Sequence, residues 1–157
     1  MHASTNAFAT LIQAEIQTAE DLLGCLRQEQ EALRQFSAEA LEQAVARKVE
    51  LLEQMAQHAN RRAEYLHSVG CPEQEVERIH AFIQQRAAPA LPAWRRLVDL
   101  AGELDRQNEI NGSMIQLSQQ RTQIALDLAT PPEDKPRTYG KKGYTEHNPA
   151  SFTRAKA

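Results

Sequence analysis

Residues 91–128 read LPAWRRLVDLAGELDRQNEINGSMIQLSQQRTQIALDL. Within this stretch no proline follows Pro92, and apolar residues recur with the 3.6-residue period of an amphipathic helix. These apolar residues are Leu97, Leu100, Leu104, Ile110, Met114, Leu117, Ile124 and Leu128. A helix of this length would be about 57 Å long at roughly 1.5 Å per residue, more than a small globular core can cover. We therefore expect it to lie against other long helices or against a partner protein.

A patch of polar and small residues interrupts the middle of this stretch. It consists of Asn108, Asn111, Gly112 and Ser113. Asn-Gly is a hairpin signal in isolation, but neither flank alternates apolar and polar residues as strands do, so we predict that the helix continues. Gly112 then costs about 1 kcal/mol relative to alanine. The small side chains could admit another backbone; the other interpretation is a solvated kink without a role.

Two further long helices precede this one. The first is predicted over residues 6–35, and Ser37 then caps the second by accepting a backbone hydrogen bond. Phe36 and Leu41 stand at the positions of a hydrophobic staple, and Gly70 suits the left-handed residue after a helix. The predicted inner face of the second helix is Leu41, Val45, Lys48, Leu52, Met55, Ala59, Ala63 and Leu66.

Pro72 is predicted as the first residue of a short third helix that ends at Arg86. The short break between the first two helices makes them antiparallel neighbours. After Ala129 the prolines 131, 132 and 136 stop the last helix. The expected fold is all-α: an antiparallel bundle or coiled coil of three long helices and one short connecting helix over residues 1–129. Residues 130–157 are expected to form an extended or disordered tail.

The net charge of −3 is unevenly distributed along the chain. Residues 131–157 carry six Lys/Arg and three acids, a balance of +3, which leaves −6 for the rest. An acidic body argues against nucleic acid as a partner, because binding phosphates requires clustered cations. Cys25 and Cys71 are too few for the usual structural metal site. No apolar run reaches membrane-spanning length, and we expect a cytoplasmic protein with free thiols.

Two Glu-x-x-His pairs, Glu64/His67 and Glu77/His80, are the strongest signal of metal chemistry. Di-iron bundles carry such pairs on separate helices at mid-helix positions, whereas these flank one helix break, so surface polar residues are the better interpretation. The common catalytic motifs are absent from the sequence, which therefore predicts neither an enzyme nor a cofactor. Cys25 is interpreted as a packing residue, and Lys48 either pairs with a neighbouring glutamate or extends to solvent.

Four segments together resemble the FlgN family of flagellar type III export chaperones. They are residues 108–115 (NEINGSMI), 119–128 (QQRTQIALDL), 139–143 (YGKKG) and 48–52 (KVELL). Members of this family keep hook-associated proteins, which join hook and filament, soluble and export-competent in the bacterial cytoplasm. The Asn-Gly patch and the Tyr-Gly tail are the more specific parts of the resemblance, and residues 72–92 match least.

The resemblance implies a chaperone that binds hook-associated proteins through its C-terminal helical region, with export-apparatus components as further partners. The implied partner-binding residues are Asn108, Asn111, Gly112, Met114, Ile115, Leu117, Arg121, Ile124 and Leu128. Tyr139 and Tyr144 are added as aromatic anchors of the tail. The alternative is a structural coiled-coil adaptor that homodimerises through the same apolar stripe.

Overall fold

A computed structural model describes residues 2–71 and 75–130. Within these ranges, side-chain environments are described from residue 7 onward. The described residues form four α-helices and a single 3-10 turn, Ala88–Ala90, without a β-strand. The helices are α1 (His2–Arg34), α2 (Ala38–Ser68), α3 (Val76–Arg86) and α4 (Leu91–Ala129). The predicted all-α fold of three long helices and one short helix is confirmed.

Cross-helix hydrogen bonds show that α1 and α2 are antiparallel. Near the turn that joins them, Cys25 Sγ donates to Ala44 O at 3.2 Å. Far from the turn, Arg62 Nε donates to Glu15 Oε2 at 2.8 Å. Residue numbers therefore fall along α2 as they rise along α1, as the short connection predicted.

The turn between α1 and α2 confirms the predicted N-cap at Ser37 but not the predicted hydrophobic staple. Ser37 Oγ accepts from Ala40 N at 3.3 Å, so Ser37 is the N-cap of α2. The predicted staple is wrong, because Phe36 is 75% exposed and so is not buried as a staple residue would be. Phe36 instead takes a left-handed φ of 53°, and Ser37 N reaches back to Ala32 O at 3.0 Å to close α1.

The end of α2 follows the predicted glycine cap. Gly70 has φ +87°, and Cys71 N donates to Leu66 O at 2.8 Å, the long bond of a Schellman motif. The predicted start of α3 at Pro72 is wrong, because α3 begins at Val76. Glu75, the residue before it, has an extended backbone. Residues 72–74 lie outside the described part of the chain.

The main core joins all four helices at one end of the bundle. Its buried members are Phe8, Ile12, Ile16, Ala19, Leu23, Leu66, Cys71, Ile79, Ile83, Ala90, Trp94, Leu97 and Leu100. A smaller cluster of Leu22, Cys25 and Leu51 adjoins it, and Met55 and Leu104 pack against both clusters. The apolar residues of the core on α4 therefore end at Leu104, and about two thirds of the helix follows that residue.

α2 presents to the core only part of the face that the sequence predicted: Met55 and Leu66 pack there, whereas two other residues of that face do not. Val45 and Leu52 are exposed, whereas Ala44 and Leu51, one residue earlier in each case, are buried. One residue corresponds to about 100° around a helix, so Ala44 and Leu51 lie on a neighbouring face to Val45 and Leu52. An apolar strip of α2 consequently faces solvent.

Of the described residues, those up to residue 119 belong to one compact unit, and residues 120–130 belong to a second. The predicted boundary between a bundle at 1–129 and a tail at 130–157 stays a prediction, because residues 131–157 lie outside the described part.

Candidate functional site

The C-terminal half of α4 carries apolar side chains that the bundle does not bury. Trp94, Leu97 and Leu100 are buried, but beyond Leu100 only Asn111 is buried among the described residues of this helix. Within residues 1–119, Ile110 and Leu117 are 46% and 48% exposed. Within the second unit, Ile124, Leu126 and Leu128 are exposed, Leu128 at 83%. Large aliphatic side chains in a repeating helical pattern on a surface are typical of interaction sites.

Asn111 has an internal role. It is 1% exposed, and its Nδ2 donates to Leu26 O at 2.8 Å and to Glu29 Oε2 at 2.7 Å. Its Oδ1 accepts from Gln107 Nε2 at 3.1 Å. These hydrogen bonds tie α4 to α1, so the Asn111 side chain is occupied inside the bundle and is not presented to a partner.

A buried carboxylate completes this polar network. Glu29 is 1% exposed, and Lys48 Nζ lies 3.1 Å from its Oε1 and 3.2 Å from its Oε2. Lys48 therefore pairs with a glutamate of the neighbouring helix, one of the two outcomes left open by the sequence. Because a buried carboxylate requires such partners, the network fixes how α1, α2 and α4 are aligned.

The remaining predicted binding residues differ in accessibility. Asn108, Gly112 and Arg121 are exposed, and Met114 and Ile115 are half-buried. Tyr139 and Tyr144 lie outside the described residues. Sequence reasoning left Ile110 out of this set, although its seven-residue spacing to Leu117 and Ile124 was a signal that could have included it.

Replacing Gly112 with alanine should raise the free energy of unfolding by about 0.5–1 kcal/mol, because glycine is poorly suited to a helix interior. A Cβ at Gly112 meets no atom of another element within 4 Å, so the bundle leaves room for it. Chemical unfolding followed by circular dichroism measures the change. A loss of stability would contradict an open surface at this position.

Three of the four residues in the two Glu-x-x-His pairs are exposed. Glu64, His67 and Glu77 are exposed, and residues 2–71 and 75–130 contain no cluster of three His, Cys, Asp or Glu that could hold a metal. Cys25 packs in the smaller core cluster. Burial, and secondly the Glu29 carboxylate, raises the pKa of the Cys25 thiol, which favours the unreactive protonated form.

No helix in the described residues is long and apolar enough to cross a membrane. A family model described as FlgN protein matches residues 1–147 of the chain. No curated protein and no solved structure matches it.

Proposed function

Because the match covers residues 1–147, this chain belongs to the FlgN family of flagellar export chaperones, and we propose that it binds hook-associated proteins in the cytoplasm and keeps them soluble for type III export. The observation that carries this proposal is the exposed apolar surface of α4. Within residues 1–119 it includes Ile110 and Leu117, and within residues 120–130 it includes Ile124, Leu126 and Leu128.

A partner helix is the occupant that suits this surface. Ile110, Met114 and Leu117 are spaced by four and three residues, and Met114 is half-buried. Apolar side chains at this spacing lie on one face of α4, where an amphipathic partner helix can pack against them. A client that contributes such a helix from one terminus would cover these side chains and bury its own apolar face. The covered helix would then be unavailable for premature self-assembly. This mechanism requires no cofactor, metal or nucleotide.

The energy available from the surface is moderate. Burying an aliphatic side chain that is half exposed contributes roughly 1 kcal/mol, about half of the value for complete burial. Several such side chains supply a few kcal/mol, against which the cost of association must be set. A complex of this kind can form in the cytoplasm and still release its client at the export apparatus.

The remaining predicted binding residues extend the proposal. Asn108, Gly112, Ile115 and Arg121 are proposed to lie at the edge of the client helix. Residues 130–157 are proposed as a separate tail, in which Tyr139 and Tyr144 provide aromatic anchors for the client or for export-apparatus components.

Co-expression with each hook-associated protein tests the proposal. We expect a soluble one-to-one complex to co-purify, and the client alone to be less soluble. If no hook-associated protein co-purifies with the chain or gains solubility from it, the proposed client class is wrong.

The second candidate function is a structural adaptor that homodimerises through the same surface. The seven-residue spacing of Ile110, Leu117 and Ile124 favours it, since coiled-coil partners share that repeat. Sedimentation equilibrium at low micromolar concentration separates the candidates. A dimer that persists with excess client favours the adaptor, whereas a monomer that converts to a one-to-one complex favours the chaperone.

A further inference from the structure

A second apolar strip lies on α2. Val45, Val49 and Leu52 are 43%, 60% and 48% exposed, and their spacing of four and three residues places them on one face of the helix. The core of residues 1–119 uses a different face of α2, which includes Ala44 and Leu51. We call Val45, Val49 and Leu52 the α2 strip.

The helix α3 is too short to lie beside the whole of α2. α3 has 11 residues and α2 has 31, which corresponds to about 16 Å against about 46 Å. Ile79 and Ile83 anchor α3 in the same core cluster as Leu66 near the end of α2. Much of the length of α2 therefore extends beyond the reach of α3.

A cavity of about 170 Å³ lies among the helices beside the first residue of α3. Val76, the first residue of α3, lines it together with Met55 of α2 and with Trp94 and Leu104 of α4. Met55 follows the buried Leu51 by four residues and lies on the core face of α2. Val45, Val49 and Leu52 do not line this cavity, so the α2 strip is a surface separate from it.

The charged side chains beside the α2 strip favour a partner helix with positively charged flanks. Glu42 and Glu53 are exposed, three residues before Val45 and four residues after Val49, so both carboxylates border the strip. Lys48 on the other side is held by Glu29. Arg47 pairs with Glu50 at 2.9 Å.

We propose that the α2 strip docks an amphipathic helix of another protein, one whose apolar face is flanked by Lys or Arg. Cations on the guest would meet Glu42 and Glu53, whereas a second copy of this chain would bring further carboxylates to the same border. This surface is distinct from the exposed residues of α4, and the proposal does not depend on the function proposed above.

A designed peptide tests the proposal on the full-length protein. The probe is a fluorescein-labelled amphipathic helix of about 18 residues, with leucine at every third or fourth position and lysine at the flanks. A matched peptide carries glutamate in place of lysine. Fluorescence anisotropy near physiological salt measures the affinity, since low salt would exaggerate the charge effect. We expect the lysine peptide to bind more tightly.

Two variants with the same added charge locate the binding surface. Val49→Asp should weaken binding of the lysine peptide at least about tenfold, because it places a charge within the apolar contact. Gln54→Asp adds the same charge at an exposed position elsewhere on α2 and should leave the affinity unchanged. Circular dichroism verifies that both variants remain folded.

Three results would overturn the proposal. Equal affinities of Val49→Asp and Gln54→Asp would exclude the α2 strip as the binding surface. Equal binding of the two peptides would remove the role of Glu42 and Glu53. A wild-type dimer that Val49→Asp dissociates in sedimentation would assign the strip to a second copy of this chain instead.

Discussion

Replacing Arg62 with methionine is expected to lower the free energy of unfolding by about 3–5 kcal/mol, the usual cost of removing one member of a buried ion pair. Arg62 Nε lies 2.8 Å from Glu15 Oε2, and the Glu15 side chain is 3% exposed. The Arg62 guanidinium also lies 5.4 Å from the centre of the Trp94 ring, so the variant loses a cation–π contact as well. Denaturant unfolding monitored by circular dichroism gives the value.

The double variant Glu15→Met/Arg62→Met is the control for this prediction. It removes both charges and replaces them with flexible apolar side chains, so most of the lost stability should return. If the double variant is as unstable as Arg62→Met alone, the loss arises from packing around Trp94 and not from an unpaired carboxylate.

Replacing Asn111 with alanine is expected to lower the free energy of unfolding by about 2–3 kcal/mol. The substitution removes the hydrogen bonds to Leu26 O and to the buried Glu29 carboxylate, and buried polar groups left without partners are costly. The matched control is Asn108→Ala, three residues earlier and exposed, which should change stability by less than about 0.5 kcal/mol. Equal effects of the two substitutions would contradict the internal role of Asn111.

The helices and their caps were predictable because the relevant physics is local. The 3.6-residue period predicted that α4 continues through Asn111 and Gly112, and it does. Ser37 caps the start of α2 and Gly70 follows its end, as the capping rules require. The start of α3 was predicted too early, at Pro72, because a proline suits several positions around a helix start. In the structure, Glu75 immediately precedes α3.

The surface was harder to predict because it depends on how the helices face one another. Val45 and Leu52 have the same spacing as a core face, yet α2 turns Ala44 and Leu51 inward. Asn111 and Asn108 are the same residue type one turn apart, and only packing against α1 makes one structural and leaves the other exposed. A single sequence does not contain this rotational information, because a covered apolar stripe and an open one have the same pattern.

The proposed chaperone role requires that the apolar surface of α4 is available to a client. Calorimetric titration of a hook-associated protein against the wild-type chain, Leu117→Asp and Gln116→Asp tests this requirement. Both variants add one negative charge at neighbouring exposed positions of α4, and they differ in whether an apolar contact is lost. We expect Leu117→Asp to weaken binding at least about tenfold, or roughly 1.4 kcal/mol, and Gln116→Asp to retain the wild-type affinity. Unchanged affinity of Leu117→Asp, or an equal loss in both variants, would contradict the claim.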